Sequence, residues 1–146
     1  MSRAVVLASL AALSLCACGS SSLSLKQLRA QASRPCTIAT RELGRIPTPT
    51  SPKGEAEFLK RGVATLAPEL RALHRLRPPD DLDHDFANAL DASAQELAEL
   101  RQSAHRLATG GDPVVSIKTL ELRLAPLEAK TNSAWTKLGI PACRIR

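Results

Sequence analysis

The sequence is poor in the residues that build strands and aromatic binding surfaces. Its 146 residues include no Tyr, one Trp and two Phe. β-Branched and aromatic residues favour strands, whereas the Leu and Ala that dominate this chain favour helices. The composition therefore predicts an all-α fold. It also leaves almost no aromatic surface on which bases could stack, so we expect no nucleic-acid partner despite the net charge of +6.

Motifs of catalysis and of metal binding are missing as well. The chain has no G-x-S-x-G elbow, no P-loop and no dinucleotide fingerprint, and its three histidines form no paired ligand motif on one helix face. The acidic run DDLDHDF fails as a calcium loop, because Phe86 stands where Gly is needed. We interpret this run as a helix start that Asp80 or Asp81 caps. The sequence thus predicts a non-enzyme with no catalytic residue, no metal ligand and no cofactor.

A short apolar run opens the chain. After Arg3, residues Ala4–Leu15 carry no charge and would span about 18 Å as a helix, short of the ~30 Å hydrocarbon core of a bilayer. Such a run is typical of the apolar region of a signal peptide. It ends in Leu15-Cys16-Ala17-Cys18, which resembles a bacterial lipobox with Cys16 at the most tolerant position.

The lipobox resemblance implies a membrane anchor. Residues 1–17 would form a cleaved lipoprotein signal peptide, and residues 18–24 a lipidated Cys18 with a flexible Gly/Ser tether. Several acyl chains, palmitate among them, hold a protein on a membrane almost irreversibly. The rest of the chain would then lie on the extracytoplasmic face of the cell membrane or outer envelope. The alternative is an ordinary secretory signal that is cleaved elsewhere, for example after Ser14.

Two cysteines remain after such processing, Cys36 and Cys143. An even number of cysteines in an exported chain predicts a disulfide, and neither residue has a companion at metal-ligand spacing. The bridge would close a loop of about a hundred residues, which the chain-entropy estimate equates with about 4–5 kcal/mol of stability. The alternative is two unrelated free thiols.

Apolar residues recur every three or four positions in four segments, which predicts four helices. The segments cover residues 24–45, 55–77, 82–108 and 114–138. Short Pro- and Gly-containing connections favour an up-down-up-down four-helix bundle over residues 25–146, closed by the one disulfide. Pro35 either kinks the first helix or restarts it. Two further prolines, Pro68 and Pro126, are predicted to bend their helices and to open a ligand cavity beside Trp135.

The charges are unevenly distributed. Residues 19–53 hold six Lys or Arg and one Glu, a net charge of +5, whereas residues 80–109 hold seven Asp or Glu and two Arg, a net charge of −5. The basic excess lies nearest the predicted anchor, where each basic residue close to anionic lipid headgroups contributes about 1 kcal/mol. The alternative is that both regions are ordinary solvated helix faces.

The whole layout resembles small, uncharacterised helical lipoproteins of the actinobacterial type. The similarity rests on the lipobox, the tether, a Pro-Pro turn at 77–80, a Gly-Asp-Pro turn at 111–113 and the closing LGIPAC at 138–143. The resemblance implies an address and a helical fold but no activity. We therefore predict a non-catalytic, lipid-anchored interaction or structural module that meets an envelope protein. The alternative is a carrier that binds a small apolar ligand between kinked helices.

Overall fold

A computed structural model describes residues 22–144 of the chain. This part contains no strand and folds into four long helices: α1 (Leu25–Leu43), α2 (Pro52–Leu73), α3 (Asp83–Ala108) and α4 (Pro113–Leu138). Short 3-10 turns lie at Asp80–Leu82 and at Pro141–Cys143. The predicted all-α fold and helical bundle are confirmed. The predicted signal peptide, Cys16 and Cys18 lie outside the described residues.

Local sequence explains where α1 and α4 begin and end. The Ser24 side chain accepts a hydrogen bond from the Gln27 N–H while the Gln27 side chain accepts one from the Ser24 N–H, so both exposed amides are satisfied. Asp112 caps α4 with a single bond, because its side chain accepts from the Val115 N–H at 2.9 Å. Gly139 ends α4 at φ +69°, a left-handed conformation that glycine adopts at low cost. Between its ends α1 is one helix, and Pro35 lies inside it.

The start of α3 differs from the prediction. Leu82 occupies the cap position and makes no side-chain cap hydrogen bond, while Asp80 and Asp81 belong to the preceding 3-10 turn. That turn forms because the Leu82 N–H donates to the Pro79 carbonyl at 2.9 Å, directly after the Pro-Pro pair. The predicted capping by Asp80 or Asp81 is therefore wrong, although Asp83 and Asp85 do lie in the first turn of α3.

The helices pack mainly against their neighbours in sequence. α3 lies against both α2 and α4, whereas α1 contacts α2 and the Pro141–Cys143 turn. The largest core cluster draws on all four helices and on the residues after Gly139; its buried members are Leu28, Ala32, Cys36, Leu73, Phe86, Ala89, Leu90, Trp135, Leu138, Ile140 and Cys143. A second, smaller cluster joins Ala39, Leu66 and Leu97. The apolar packing is thus concentrated where the C-terminal residues fold back on α1.

A disulfide joins Cys36 of α1 to Cys143, with Cα atoms 5.0 Å apart and a sequence separation of 107 residues. The predicted pairing is confirmed. Because both residues are 1% exposed, the bridge is part of the packed core and not a surface link. It ties the last turn of the described chain to the middle of α1.

Candidate functional site

Two regions of the molecule stand out from an ordinary bundle. The first, which we call the disulfide cluster, consists of Cys36, Cys143 and Glu69. The second, which we call the α4 face, consists of Val114, Val115 and Leu122. Glu69 is a buried acid in the core, and the members of the α4 face are large apolar side chains on the surface. Folding usually places acidic side chains on the surface and large apolar ones in the core, so Glu69 and the α4 face both depart from that rule.

Glu69 reaches the disulfide from α2. Its side chain is 4% exposed, and one of its carboxylate oxygens and the two sulfur atoms all lie within 4.8 Å of one another. The disulfide cluster therefore brings together three groups that can act as metal ligands, from α1, α2 and the C-terminal turn.

The helical period of α2 explains why Glu69 is buried. It lies three residues after Leu66 and four before Leu73, and both of these leucines are buried. Residues at these spacings share one face of a helix, so Glu69 occupies an inward position. Sequence reasoning missed it because the neighbouring Leu70 fills the same place in the apolar pattern. Its spacing to Leu66 and Leu73 is the signal that could have found it.

A groove between α1 and α2 leads towards Glu69. It has a volume of about 410 Å³, and its lining includes Pro35, Ile38, Pro68 and Glu69 itself. Ile38 on its rim is 45% exposed. Of the predicted ligand-binding residues, Pro68 therefore does line a depression, but a surface groove and not an internal cavity.

The other two predicted cavity residues lie in different surroundings. Trp135 is fully buried. Its ring packs edge to face against that of Phe86, with the ring centroids 5.9 Å apart, and its Nε1–H donates to Ser93 Oγ at 3.2 Å. Pro126 is exposed on α4. Trp135 has the contacts expected of a core residue whose polar atom is satisfied.

The α4 face lies on the first half of α4. Val114, Val115 and Leu122 are 75%, 63% and 69% exposed. Val115 and Leu122 are seven residues apart and thus project from the same side of the helix. Fully burying such a side chain contributes about 1.5–3 kcal/mol relative to leaving it in water, and these three do not gain that stabilisation within the described chain. The α4 face is therefore available to another molecule.

An open groove of about 610 Å³ adjoins the α4 face. Residues 49–51 and Glu55 form one wall, and residues from the start of α4, including Val114 and Ile117, form the other. Charged groups of both signs border it, since Lys118 Nζ lies 3.3 Å from the Glu121 carboxylate. The lining of the groove therefore combines apolar side chains with charged ones of both signs.

The structure describes the basic residues of α1 but not the predicted lipid anchor. Cys18 lies outside the described residues. The basic residues of α1 are exposed; they are Lys26, Arg29, Arg34 and Arg41. Arg29 also has a structural contact, because its Nε–H donates to the Leu138 carbonyl at 2.9 Å. None of the helices within residues 22–144 is both long enough and apolar enough to span a bilayer.

Comparisons with protein families, curated proteins and solved structures gave no match to this chain.

Proposed function

We propose that this protein is a non-catalytic, lipid-anchored module of the cell envelope that binds an envelope protein through the α4 face. A signal peptide of residues 1–17 directs export, and acyl chains on Cys18 hold the protein on the extracytoplasmic side of the membrane. The observation that carries the proposal is the exposure of Val114, Val115 and Leu122 on one short stretch of helix.

We further propose that the four helices alternate in direction, up-down-up-down. Contacts between elements support this arrangement. The Leu23 N–H donates to the Arg77 carbonyl at 2.8 Å, which sets the start of α1 beside the end of α2. Lys137, near the end of α4, lies 2.7 Å from Asp85 in the first turn of α3.

This arrangement puts the α4 face far from the anchor. α4 has 26 residues and is therefore about 39 Å long at 1.5 Å per residue. The residues that follow the tether begin beside the end of α2, whereas Val114 lies at the start of α4. With Cys18 in the membrane and the bundle upright, the α4 face points away from the lipid, so a protein is a better partner for it than the bilayer.

The geometry of the α4 face favours a helical partner. The two-turn spacing of Val115 and Leu122 matches the way an amphipathic helix lays its own apolar stripe against another helix. The exposed basic residues of α1 have a different role in this proposal. Lys26 and Arg29 lie near the start of α1, close to the tether, where anionic lipid headgroups would attract them.

The carrier hypothesis has less support. It needs a cavity lined by Trp135 and opened by the bends at Pro68 and Pro126. Trp135 instead packs against Phe86 with its indole N–H satisfied, and both prolines are exposed. A close-packed core at Trp135 favours the interaction module over the carrier.

Site-specific photocrosslinking in cells of the source bacterium tests the partner. A photoreactive phenylalanine replaces Val115 or Leu122, and the exposed Ala30 and Gln95 serve as control positions. We expect the same heterologous adduct from both α4 positions and none from the controls, and Leu122→Lys should abolish the adduct formed from position 115. An adduct with the mass of two copies of this chain would contradict the proposal, as would the absence of any adduct.

Metabolic acyl labelling tests the anchor separately. Cys18→Ser should remove the label and either release the protein from the membrane or leave it uncleaved. Cys16→Ser is the matched control and should retain the label. A label that persists in Cys18→Ser would contradict lipidation at this residue.

A further inference from the structure

We propose that the disulfide cluster is a redox-controlled zinc site, in which Cys36, Cys143 and Glu69 bind Zn²⁺ once the disulfide has been reduced. The site is separate from the α4 face and does not depend on the proposed function. It departs from the sequence expectation of no metal ligand, because the third ligand comes from a helix that spacing arguments between cysteines do not consider.

The chemistry of the three groups selects the metal. Two thiolates and one carboxylate form a borderline-soft ligand set that suits Zn²⁺ and that Mg²⁺ and Ca²⁺ do not favour. Three protein ligands leave one position of a tetrahedron for water or another small ligand. The site is thus of the open kind.

The geometry requires only local movement. A tetrahedral zinc with Zn–S bonds of about 2.3 Å holds its two sulfurs roughly 3.7 Å apart. Cleavage of the S–S bond frees the sulfurs to separate to such a distance, and the Glu69 oxygen already lies within 4.8 Å of both. Of the three ligands, Glu69 lines the groove between α1 and α2, and because both of its carboxylate oxygens are covered, entry of the ion requires the Glu69 side chain to move.

The binding reaction balances as follows. A dithiol reductant gives two electrons and two protons to the Cys36–Cys143 bond and itself becomes a disulfide. Zn²⁺ then displaces the two thiol protons into solvent, and Glu69 binds as the carboxylate. The resulting centre carries a net charge of −1.

The ion would take over the structural task of the disulfide. Both arrangements tie the Pro141–Cys143 turn to α1, and zinc adds a link to α2 through Glu69. The Pro141–Cys143 turn would therefore stay attached to α1 by the covalent bond under oxidising conditions and by the metal under reducing conditions. Binding of a metal to the folded state alone stabilises that state by mass action.

Cobalt titration of the reduced full-length chain tests the site. The parent protein carries Cys16→Ser and Cys18→Ser, so that the remaining thiols are those of the disulfide cluster. It is reduced with a phosphine, which adds no competing thiol, and is kept anaerobic. We expect one Co²⁺ per chain with thiolate-to-cobalt absorption, displacement of the cobalt by Zn²⁺, and no uptake by the oxidised chain. A reduced chain that takes up neither metal would overturn the proposal.

A pair of matched variants tests the carboxylate. Glu69→Gln removes one ligand at constant size and should weaken Co²⁺ binding by about tenfold or more. Glu128→Gln changes an exposed glutamate of α4 and should leave the affinity unchanged. Equal affinity in the Glu69 variant would mean that Glu69 is not a ligand and would overturn the three-ligand site.

X-ray absorption on the zinc-loaded parent needs no Glu69 variant and covers the case in which Glu69→Gln fails to fold. It should detect two sulfurs at about 2.3 Å and oxygen at about 2.0–2.2 Å. A shell of sulfur alone, or one without sulfur, would contradict the assignment.

Discussion

Apolar side chains are buried around the disulfide cluster but exposed on the α4 face. Around the disulfide, Leu28, Leu73 and Trp135 are completely buried, and residues after Gly139 cover what the helices leave open. On the first half of α4, Val115 and Leu122 remain in water. The C-terminal turn lies against α1 and α4, but the α4 face receives no such cover within residues 22–144.

This difference means that the two regions should contribute to different properties, the surroundings of the disulfide to stability and the α4 face to the proposed binding. Side chains that are packed on every side contribute to the free energy of folding, and those that remain exposed are free to contribute to binding. A substitution near the disulfide should therefore lower stability, and one on the α4 face should leave stability unchanged and weaken only the proposed binding of an envelope protein.

Replacement of Trp135 should have the greatest effect on stability. Trp135→Ala creates a cavity against Phe86 and removes the donor to Ser93, and we expect a loss of about 3–5 kcal/mol in the free energy of unfolding. Leu122→Ala is the control from the α4 face and should change stability by less than about 0.5 kcal/mol. Urea denaturation monitored by far-UV circular dichroism measures both. Equal losses in the two variants would end the distinction between the regions.

Loss of the disulfide should come next. Under oxidising conditions Cys143→Ser should lower the free energy of unfolding by about 2–5 kcal/mol, because the bridge restricts the unfolded chain and belongs to the core. With reductant and a metal chelator present, the variant and the parent should melt at nearly the same temperature. A variant that is as stable as the parent under oxidising conditions would show that the bridge does not stabilise the fold.

Two glycines sharpen the comparison at the level of single residues. Both Gly139 and Gly110 have positive φ, but a Cβ at Gly139 would lie 2.6 Å from Arg29 Nη2, whereas one at Gly110 would meet nothing within 4 Å. The left-handed conformation alone costs a non-glycine residue about 1–2 kcal/mol. We therefore expect Gly139→Ala to lower stability more than Gly110→Ala, because Arg29 must also move. Thermal melting of the two variants checks the order, and the reverse order would show that the Arg29 side chain moves aside without loss of stability.

Charge on the α4 face should have the smallest effect on stability. Val115→Lys places a charge where the side chain is already mostly in water, so we expect a change within about 0.5 kcal/mol. The same variant should lose the crosslink that we expect from position 122 to the proposed envelope partner. A large loss of stability would instead mean that Val115 is part of the core.

Much of the fold could be predicted because it depends on local patterns. The apolar period predicted four helices, and Asp112, Pro113 and Gly139 mark the ends of α4 as capping rules require. The pairing of Cys36 with Cys143 followed from counting the cysteines, and the structure adds that the bridge is buried.

The features that escaped prediction depend on tertiary packing. Glu69 lies on the boundary of the inward face of α2, and only the position of α1 and the C-terminal turn decides that it meets the sulfurs. The apolar pattern of α4 likewise gives inward positions but does not say that its other side lacks a neighbour. At Pro79 the 3-10 turn replaced the expected aspartate cap, because the geometry after two prolines shifts the start of the helix.

The most direct test asks whether the α4 face binds a partner while the surroundings of the disulfide stabilise the fold. It compares amide hydrogen exchange of the oxidised full-length protein in native envelope membranes with that of the purified protein in detergent. We expect the amides of residues 113–122 to gain protection in the membranes, while those near Cys36 and Trp135 are equally protected in both samples. Unchanged exchange in residues 113–122, or a gain confined to the surroundings of the disulfide, would contradict this expectation.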